Sequence, residues 1–514
     1  MAPLVILATT TTLLKSALPN TQFLLATAAA ASSTTTALQQ QQQSNNNDNN
    51  KNNSITSITK NMISSSPPRV RACTYMASAM ALHFGGYEFA RSGALALFTS
   101  SDTGLVHPSA YPLAMGLVTP VSLILLYWYG LMVKNKSGGP RQALRRTTLL
   151  AISMLTMSIV LLQLSTNGSM IQKGIVALLF IFQNSYAHLL YSQQWSFLGS
   201  VMTPTEGAKW FSSIAGLSSL VCTITATCVP TLASTVGLKG LILGTSLTLT
   251  LSMPLADRAY ALGEKYGFDP TPELQRKETE KGQNKEQQQE DTNLITKTVS
   301  LFQRVPTLAA LFGEVIAFQS LSTILNLCFV RTLKQSMPSD TNRASYTGKF
   351  YAYANGMSAL MQFCVLPLAR KYLEPKWSYV AMPLLLLPWL AYTAYTTTSL
   401  WMVSAAFFSL KTLDYSLRNV VNEMVYQPLD FESRYVGKEV IGVFANRFGK
   451  SGMSLLLSLW TVATVTQLSH CSVAVGALWS CCSFWLSRNV VSNEEAEERV
   501  AEERNNNNNK SKRT

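Results

Sequence analysis

The sequence has few charged residues for its length. Only 13% of its 514 residues are Asp, Glu, Lys or Arg, whereas 47% are hydrophobic, and the mean hydropathy is +0.14. A soluble chain of this size would form about three domains with charged surfaces. Instead, apolar blocks of about 20 residues recur from Tyr75 to Leu486, each long enough to cross a bilayer core about 30 Å thick. The composition therefore predicts an integral, multi-pass helical membrane protein.

Residues that catalyse reactions or bind metals are scarce and scattered. The four His are isolated, and no nucleophile elbow or metal-ligand cluster occurs. The eight Cys are scattered through apolar runs without zinc or disulfide spacing, which predicts small core residues. The sequence therefore indicates a binding protein or carrier rather than an enzyme, with no cofactor and no metal.

The net charge of +14 does not require a nucleic-acid partner, because Lys and Arg lie mainly in short loops on one side of the predicted bilayer. Positive loops of this kind orient a membrane protein. The loop between spans two and three, the middle loop and the loop between spans ten and eleven are the richest in basic residues. They and both termini are expected to face the cytosol, or the compartment of insertion if the membrane belongs to an organelle.

Two groups of six apolar spans flank a charged middle segment, which indicates an all-α membrane protein of about 12 transmembrane helices in two six-helix parallel repeats. The spans are predicted at about 73–99, 111–133, 149–164, 175–190, 214–232, 238–253, 306–330, 350–369, 379–396, 399–422, 440–466 and 470–487. The predicted regions are a disordered leader (1–70), a first bundle (71–255), a charged cytosolic linker (256–304), a second bundle (305–487) and a charged disordered tail (488–514).

The leader runs from an Ala/Thr/Ser-rich segment into a Gln/Asn tract that cannot build a core. No acidic residue precedes Asp48, which is typical of organellar targeting, but Arg is absent before Arg69, which is not. A targeting segment and a disordered cytoplasmic tail both remain open. A plastid or other organelle envelope, the plasma membrane and the endomembranes are the candidate locations.

Charged residues interrupt the apolar sequence most clearly between residues 411 and 457. Lys411, Asp414 and Arg418 fall at i, i+3 and i+7, on one face of a helix. A charge facing lipid costs about 2.5–3.5 kcal/mol on insertion scales, so this face is expected to meet protein or a watery cavity. Lys438 and Lys450 follow near the next span; for Lys438, a helix end that snorkels its charge into the headgroups is the alternative.

The same stretch carries a family resemblance. The charged helix, the turn with Tyr426, Pro428 and Leu429, and then Gly437-Lys438 and Gly449-Lys450-Ser451-Gly452 resemble the plastid and rickettsial type of ATP/ADP translocase. That resemblance implies a major facilitator-like fold and nucleotide exchange, with Lys438 and Lys450 as substrate-binding residues. Gly449-Lys450-Ser451 is not a P-loop, because Phe444 stands where that motif requires Gly.

A nucleotide needs Lys and Arg for its phosphates and aromatic rings for its base. The predicted substrate-binding residues are Arg91, Lys411, Arg418, Lys438 and Lys450. The predicted gating or coupling residues are Glu88, Glu314 and Asp414, and the candidate stacking partners are Tyr87, Tyr353 and Tyr415.

Each assignment has an alternative. Glu88 and Arg91 are i, i+3 neighbours that could simply neutralise each other, and Asp414 could neutralise Lys411 or Arg418. Glu314 could instead lie at a helix end near the interface, and His188 reads as a packed polar residue rather than a proton relay.

The leading hypothesis is a secondary active transporter that exchanges ATP for ADP, or carries other nucleotides, by alternating access. The expected partners are a small-molecule nucleotide and the lipid bilayer, with the protein acting as a monomer. The alternative is a major facilitator-type carrier for another organic anion or a proton-coupled solute. A membrane scaffold that acts through its leader and middle loop is a third hypothesis.

Overall fold

The computed structural model describes residues 67–491, apart from 106, 135–138, 167, 203, 267–299, 367–373, 397–398, 427–428, 430–440 and 461, together with residue 495. Residues 1–66 of the predicted leader, most of the predicted linker, most of the predicted tail and Lys438 therefore lie outside the described residues.

Twelve long helices account for nearly all of the described chain, which confirms the predicted fold class. Helices are expected here because a chain in lipid must satisfy every backbone hydrogen bond internally. The first half contains α1 (Pro68–Thr99), α2 (Ala110–Lys134), α3 (Gly139–Leu164), α4 (Met170–Val201), α5 (Pro204–Thr235) and α6 (Gly237–Tyr266).

Three helices of the second half contain π-helical turns. The second half consists of α7 (Pro306–Ser336), α8 (Asp340–Leu360, then a π turn at Met361–Val365), α9 (Pro375–Tyr395), α10 (Leu400–Leu413, a π turn at Asp414–Arg418, then Asn419–Tyr426), α11 (a π turn at Ile441–Ala445, then Asn446–Leu459) and α12 (Val465–Asn489). Such turns occur mostly as single interruptions of α-helices and are frequent at functional sites.

Six helices of the described chain, α2 to α7, are both long and apolar enough to cross a membrane. Several helices extend beyond their predicted spans, because their polar ends continue past the apolar core. Helix α3 begins at Gly139, ten residues before the predicted start, and α6 continues to Tyr266. Arg141 joins these two extensions, since its side chain donates to Asp257 at 3.3 Å and to Glu264 at 2.8 Å.

The eleventh span is shorter than predicted. Helix α11 ends at Leu459, and α12 starts at Val465 behind a capping box in which Thr464 and Gln467 exchange hydrogen bonds. The apolar residues around the turn hide this boundary from a hydropathy reading.

Contacts between helix ends show which ends lie on the same side of the helix bundle. Thr307, at the start of α7, donates to the carbonyl of Asn489, at the end of α12, at 2.7 Å. The start of α2 meets the later part of α7, where Asn326 donates to the Tyr111 hydroxyl at 2.9 Å. Together with the contact between α3 and α6, these pairs place the end of α6, the start of α7 and the end of α12 on one side.

The two halves approach each other closely along α5 and α8. A Cβ added to Gly348 would lie 2.6 Å from Val229 Cβ and 3.1 Å from the Ala226 carbonyl oxygen. Only glycine leaves room for this approach of backbones, as at small-residue interfaces between membrane helices generally.

All eight cysteines are unpaired. Cys73, Cys222 and Cys328 are buried as predicted, whereas Cys364 and Cys481 are exposed, so the assignment to the core was wrong for those two.

Candidate substrate site

A cavity between the two halves is indicated by His188. Its side chain is exposed in the middle of α4, yet it lies within electrostatic range of Arg447, Lys450 and Lys411 of the second half. An accessible side chain on which charges of the opposite half act indicates a space between the two halves. We call this space the central cavity and define it by these four residues. His188 is thus not a packed core residue, as the sequence had suggested.

Arg91 of α1 lies at the junction of the halves. It forms an ion pair with Glu88 one turn earlier, and its guanidinium carbon lies 3.0 Å from the centroid of the Tyr351 ring of α8. Arg91 Nη1 also approaches the Tyr415 hydroxyl of α10 at 3.5 Å. Glu88 in turn accepts a hydrogen bond from Asn355 Nδ2 of α8 at 3.0 Å. The pair therefore neutralises itself and also connects α1 with two helices of the second half.

Lys411 lies one turn before the π turn of α10, and Asp414 is the first residue of that turn. Lys411 Nζ is 3.5 Å from Asp414 Oδ2 and 5.4 Å from the centroid of the Tyr415 ring. Asp414 also offers its other oxygen to Arg418 Nη1 at 3.5 Å. One carboxylate is thus shared between two cations at distances longer than a normal charge-assisted hydrogen bond.

The guanidinium of Arg418 is paired with carboxylates inside the second half. Its Nε and Nη2 donate to the two oxygens of Glu314 of α7 at 3.1 and 2.9 Å, and Trp479 Nε1 of α12 donates to Glu314 Oε1 at 2.8 Å. The guanidinium also stacks on Phe318, 4.0 Å from the ring centroid. Glu314 has no exposed surface and Arg418 only 2%, so Glu314 is not a helix-end residue at the interface.

The π turns of α8 and α10 are joined through Gln362. Its Nε2 donates to the carbonyl of Tyr415, which lies within the π turn of α10, at 2.7 Å. Its Oε1 accepts from Ser219 of α5 at 3.4 Å. Gln362 therefore connects the first half to the turn that holds Lys411, Asp414 and Arg418.

The Gly449-Lys450-Ser451 segment occupies the first turns of α11. Gly449 lies against α7, where an added Cβ would be 3.1 Å from Ile316 Cα. Ser451 points to the first half, with its hydroxyl 2.5 Å from the Thr119 hydroxyl of α2. Lys450, between them, lies within electrostatic range of Lys411 and Arg447. No carboxylate of the described chain lies within 4 Å of its ammonium group.

The sequence reasoning missed three residues that the structure brings to this region. Tyr351 and Asn355 contact Arg91 and Glu88, and Arg447 of α11 lies beside the cavity. Tyr353, named as a stacking candidate, is 71% exposed. Since Tyr351 faces Arg91 and successive helical residues point about 100° apart, Tyr353 points away from the cavity. Helical periodicity distinguishes Tyr351 from Tyr353 only when the helix face that points to the cavity is known. The sequence does not show which face that is.

The region as a whole carries excess positive charge. The described residues of this region include five cations and three carboxylates, so two positive charges have no counter-ion. The cations are Arg91, Lys411, Arg418, Arg447 and Lys450, and the carboxylates are Glu88, Glu314 and Asp414. Uncompensated charge in a low-dielectric setting is costly, so the region is suited to bind an anion.

Comparison with solved structures defines the fold. A D-xylose–proton symporter is 11% identical with a TM-score of 0.56, covering 82% of this chain and 98% of its own. A bacterial homologue of the iron transporter ferroportin, in an inward-facing state, is 11% identical with a TM-score of 0.54, covering 81% of this chain and 99% of its own. The nucleoside transporter NupG is 9% identical with a TM-score of 0.52, covering 81% and 98%. No curated protein sequence matches this chain.

The twelve helices of the described chain, in two halves with a charged region between them, form a major facilitator-like fold, and the chain is an integral multi-pass membrane protein. Residues 150–495 match the family described as TLC ATP/ADP transporter. The chain belongs to the TLC ATP/ADP transporter family, which confirms the resemblance drawn from residues 411–457.

Proposed function

We propose that this transporter carries nucleotides, with ATP and ADP as its exchanged substrates. The observation that carries the proposal is Lys450, a cation inside the protein that has no carboxylate within 4 Å in the described chain. The charges of Lys411, Arg447 and Asp414 act on this ammonium group, and the two cations outnumber the one acid. An anionic substrate would supply the missing counter-charge, and the family to which the chain belongs is described by ATP/ADP transport.

The phosphates would bind among Lys411, Lys450 and Arg91. Lys411 is held only loosely by Asp414 at 3.5 Å, so a phosphate can compete for it. When it does, Asp414 keeps its second partner, Arg418, and no carboxylate is left unpaired. Arg418 would then act on substrate through Asp414, because its own strongest donors are occupied by Glu314. Lys438, which is outside the described residues, precedes α11 in the sequence and would contribute a further cation.

The base would stack on tyrosine. Tyr415 lies next to both Lys411 and Arg91, and Tyr87 carries its hydroxyl 3.4 Å from Asn184 Oδ1 of α4. These rings belong to opposite halves, so a nucleotide between them would contact both. Aromatic faces accept any base, which would make phosphate contacts the main source of affinity.

Transport would follow from rocking of the two halves around the central cavity, as parallel repeats permit. The contacts that would open and close are those between the halves, which include Thr119 with Ser451 and Glu88 with Asn355. A single chain supplies both sides of the cavity, so a monomer would suffice.

The test is uptake of labelled ATP into liposomes that contain the purified full-length protein. Uptake should depend on internal ADP or ATP, and unlabelled nucleotides should compete outside. Liposomes without protein, and protein-containing liposomes without internal nucleotide, provide the baselines.

Absence of uptake for every labelled nucleotide, with and without internal counter-substrate, would contradict nucleotide transport. Uptake of a different organic anion in the same vesicles would then support the alternative carrier.

A further inference from the structure

Arg447 lies one turn before Lys450 on α11, at the border between the halves. Residues at i and i+3 share a helix face, with Cβ atoms about 5–6 Å apart. The backbone here is fixed against the first half, because the Arg447 carbonyl accepts a hydrogen bond from Thr119 Oγ1 of α2 at 3.2 Å. The position of Arg447 is therefore set by the same contact that joins Ser451 to Thr119.

The guanidinium of Arg447 lacks the carboxylate partner that three other internal arginines have. Its Nη1 is buried and makes no hydrogen bond, and no carboxylate of the described chain lies within 4 Å. Arg91, Arg343 and Arg418, by contrast, each form an ion pair with a carboxylate. A buried guanidinium donor without an acceptor costs free energy, which a bound ligand with several oxygens could recover.

The charge of Arg447 is directed at the central cavity. The charge of Arg447, like those of Lys450 and Lys411, acts on His188 across the two halves. His188 belongs to α4 of the first half and is accessible. Arg447 and Lys450 therefore present two adjacent, uncompensated positive charges to one face of the cavity.

We propose that Arg447 binds a phosphoryl group of the substrate next to the one bound by Lys450. Two cations one helical turn apart match consecutive phosphoryl groups, and the planar fork of Arg suits two phosphate oxygens at once. The site thereby selects for a chain of at least two phosphoryl groups. This inference rests on the proposed nucleotide transport and specifies which nucleotides bind: di- and triphosphates, not monophosphates.

The experiment compares Arg447→Gln with the parent by thermal-shift titration of the purified full-length protein. The probes are ATP, ADP, AMP and inorganic tripolyphosphate. For Arg447→Gln the apparent affinity for ATP, ADP and tripolyphosphate should fall about ten- to hundredfold, while that for AMP changes less than about threefold. Arg447→Lys, which keeps the charge but not the fork, should recover part of the loss.

Arg488→Gln is the matched control, since it removes the same charge from the same half. Arg488 is exposed at the end of α12 and stacks on Phe484 at 4.5 Å, so all four affinities should stay at the parental values. If Arg447→Gln is unstable, the Arg447→Lys titration decides, because weakened ATP binding with parental AMP binding is still expected.

Parental ATP affinity in both Arg447 variants would overturn the inference while leaving nucleotide transport intact. An equal loss for ATP and AMP would also overturn it, because Arg447 would then shape the cavity without sensing the number of phosphoryl groups. A parent protein that binds none of the nucleotides would contradict the proposed function itself, and the inference with it.

Discussion

Arg418 of α10 and Glu314 of α7 form a buried ion pair with two hydrogen bonds, of 3.1 and 2.9 Å. Trp479 of α12 donates to the same carboxylate, so three helices of the second half meet at Glu314. The ion pair fixes α10 at Arg418, the last residue of its π turn, and holds Asp414 close to Arg418. The charged helix face that the sequence analysis assigned to phosphate binding therefore also has a structural role.

Arg418→Gln should destabilise the protein strongly. Removal of one partner from a buried ion pair typically costs about 3–5 kcal/mol, because the other charge is left unpaired. The double variant Glu314→Gln/Arg418→Gln should be less destabilised than the sum of the single variants, since it leaves no lone charge. Thermal denaturation of the three purified proteins in detergent checks both expectations.

Arg141→Gln is the reference variant, because the ion pairs of Arg141 contribute little to stability. Arg141 is 36% exposed in its ion pairs with Asp257 and Glu264, and such surface pairs contribute about 0–1 kcal/mol. An Arg418→Gln protein as stable as the parent but with tenfold weaker nucleotide affinity would instead mean that Arg418 contacts the substrate directly.

Lys450→Gln should weaken nucleotide binding while the protein still folds. A hydrogen bond to a charged group contributes about 1.5–3 kcal/mol, which corresponds to roughly a ten- to hundredfold increase in the apparent KM for ATP uptake. Lys411→Gln should have a smaller effect, because in the parent a phosphate must displace Asp414, 3.5 Å from Lys411, and this cost offsets part of the gain. Initial rates of uptake over a range of ATP concentrations give the comparison.

Lys376→Gln is the matched control for these two variants. Lys376 is an exposed residue in the first turn of α9, and its removal should leave KM unchanged. Equal KM values in all three variants would show that the lysines of the cavity do not hold the substrate.

A disulfide between Thr119→Cys and Ser451→Cys should lock the two halves together. The two hydroxyl oxygens lie 2.5 Å apart across α2 and α11, a separation compatible with side chains that can be bridged. Oxidation should abolish uptake and reduction should restore it, as measured on the same vesicles before and after a reducing agent.

The two single-cysteine variants control for cross-linking to the eight native cysteines. They should transport at the same rate with and without oxidation. Full activity of the oxidised double variant, with the disulfide shown to be formed, would mean that α2 and α11 do not separate during transport.

Gly348→Ala should slow transport by separating α8 from α5. The added methyl group would lie 2.6 Å from Val229 Cβ, a distance that forces the two halves apart. Gly452→Ala on α11 is the control, because nothing lies within 4 Å of its added Cβ and Ala favours a helix by about 1 kcal/mol. The maximal rate of uptake should fall for Gly348→Ala alone; equal maximal rates for the two variants would argue against a tight interface at Gly348.

The sequence by itself determined the membrane class, the twelve helices and the family. Long apolar runs admit few structures in lipid other than helices, because every backbone group must be bonded within its own segment. The family was identified from the order of a charged helix, the turn with Tyr426, Pro428 and Leu429, and the two glycine–lysine segments at 437–438 and 449–452. Helix ends were predicted less well, since the polar turns of α3 and α6 extend past the apolar core.

Only the tertiary structure decided which charges are free. Arg91, Lys411 and Arg418 are equally basic in the sequence, and a helical face does not reveal what another helix brings to it. Glu314 lies 104 residues before Arg418, and Asn355 meets Glu88 across the two halves. The Glu88–Arg91 pair is local and could be read from the sequence. The Glu314 partner of Arg418 comes from a distant helix, so only packing shows that Arg418 is neutralised and that Arg447 and Lys450 have no ion pair in the described chain.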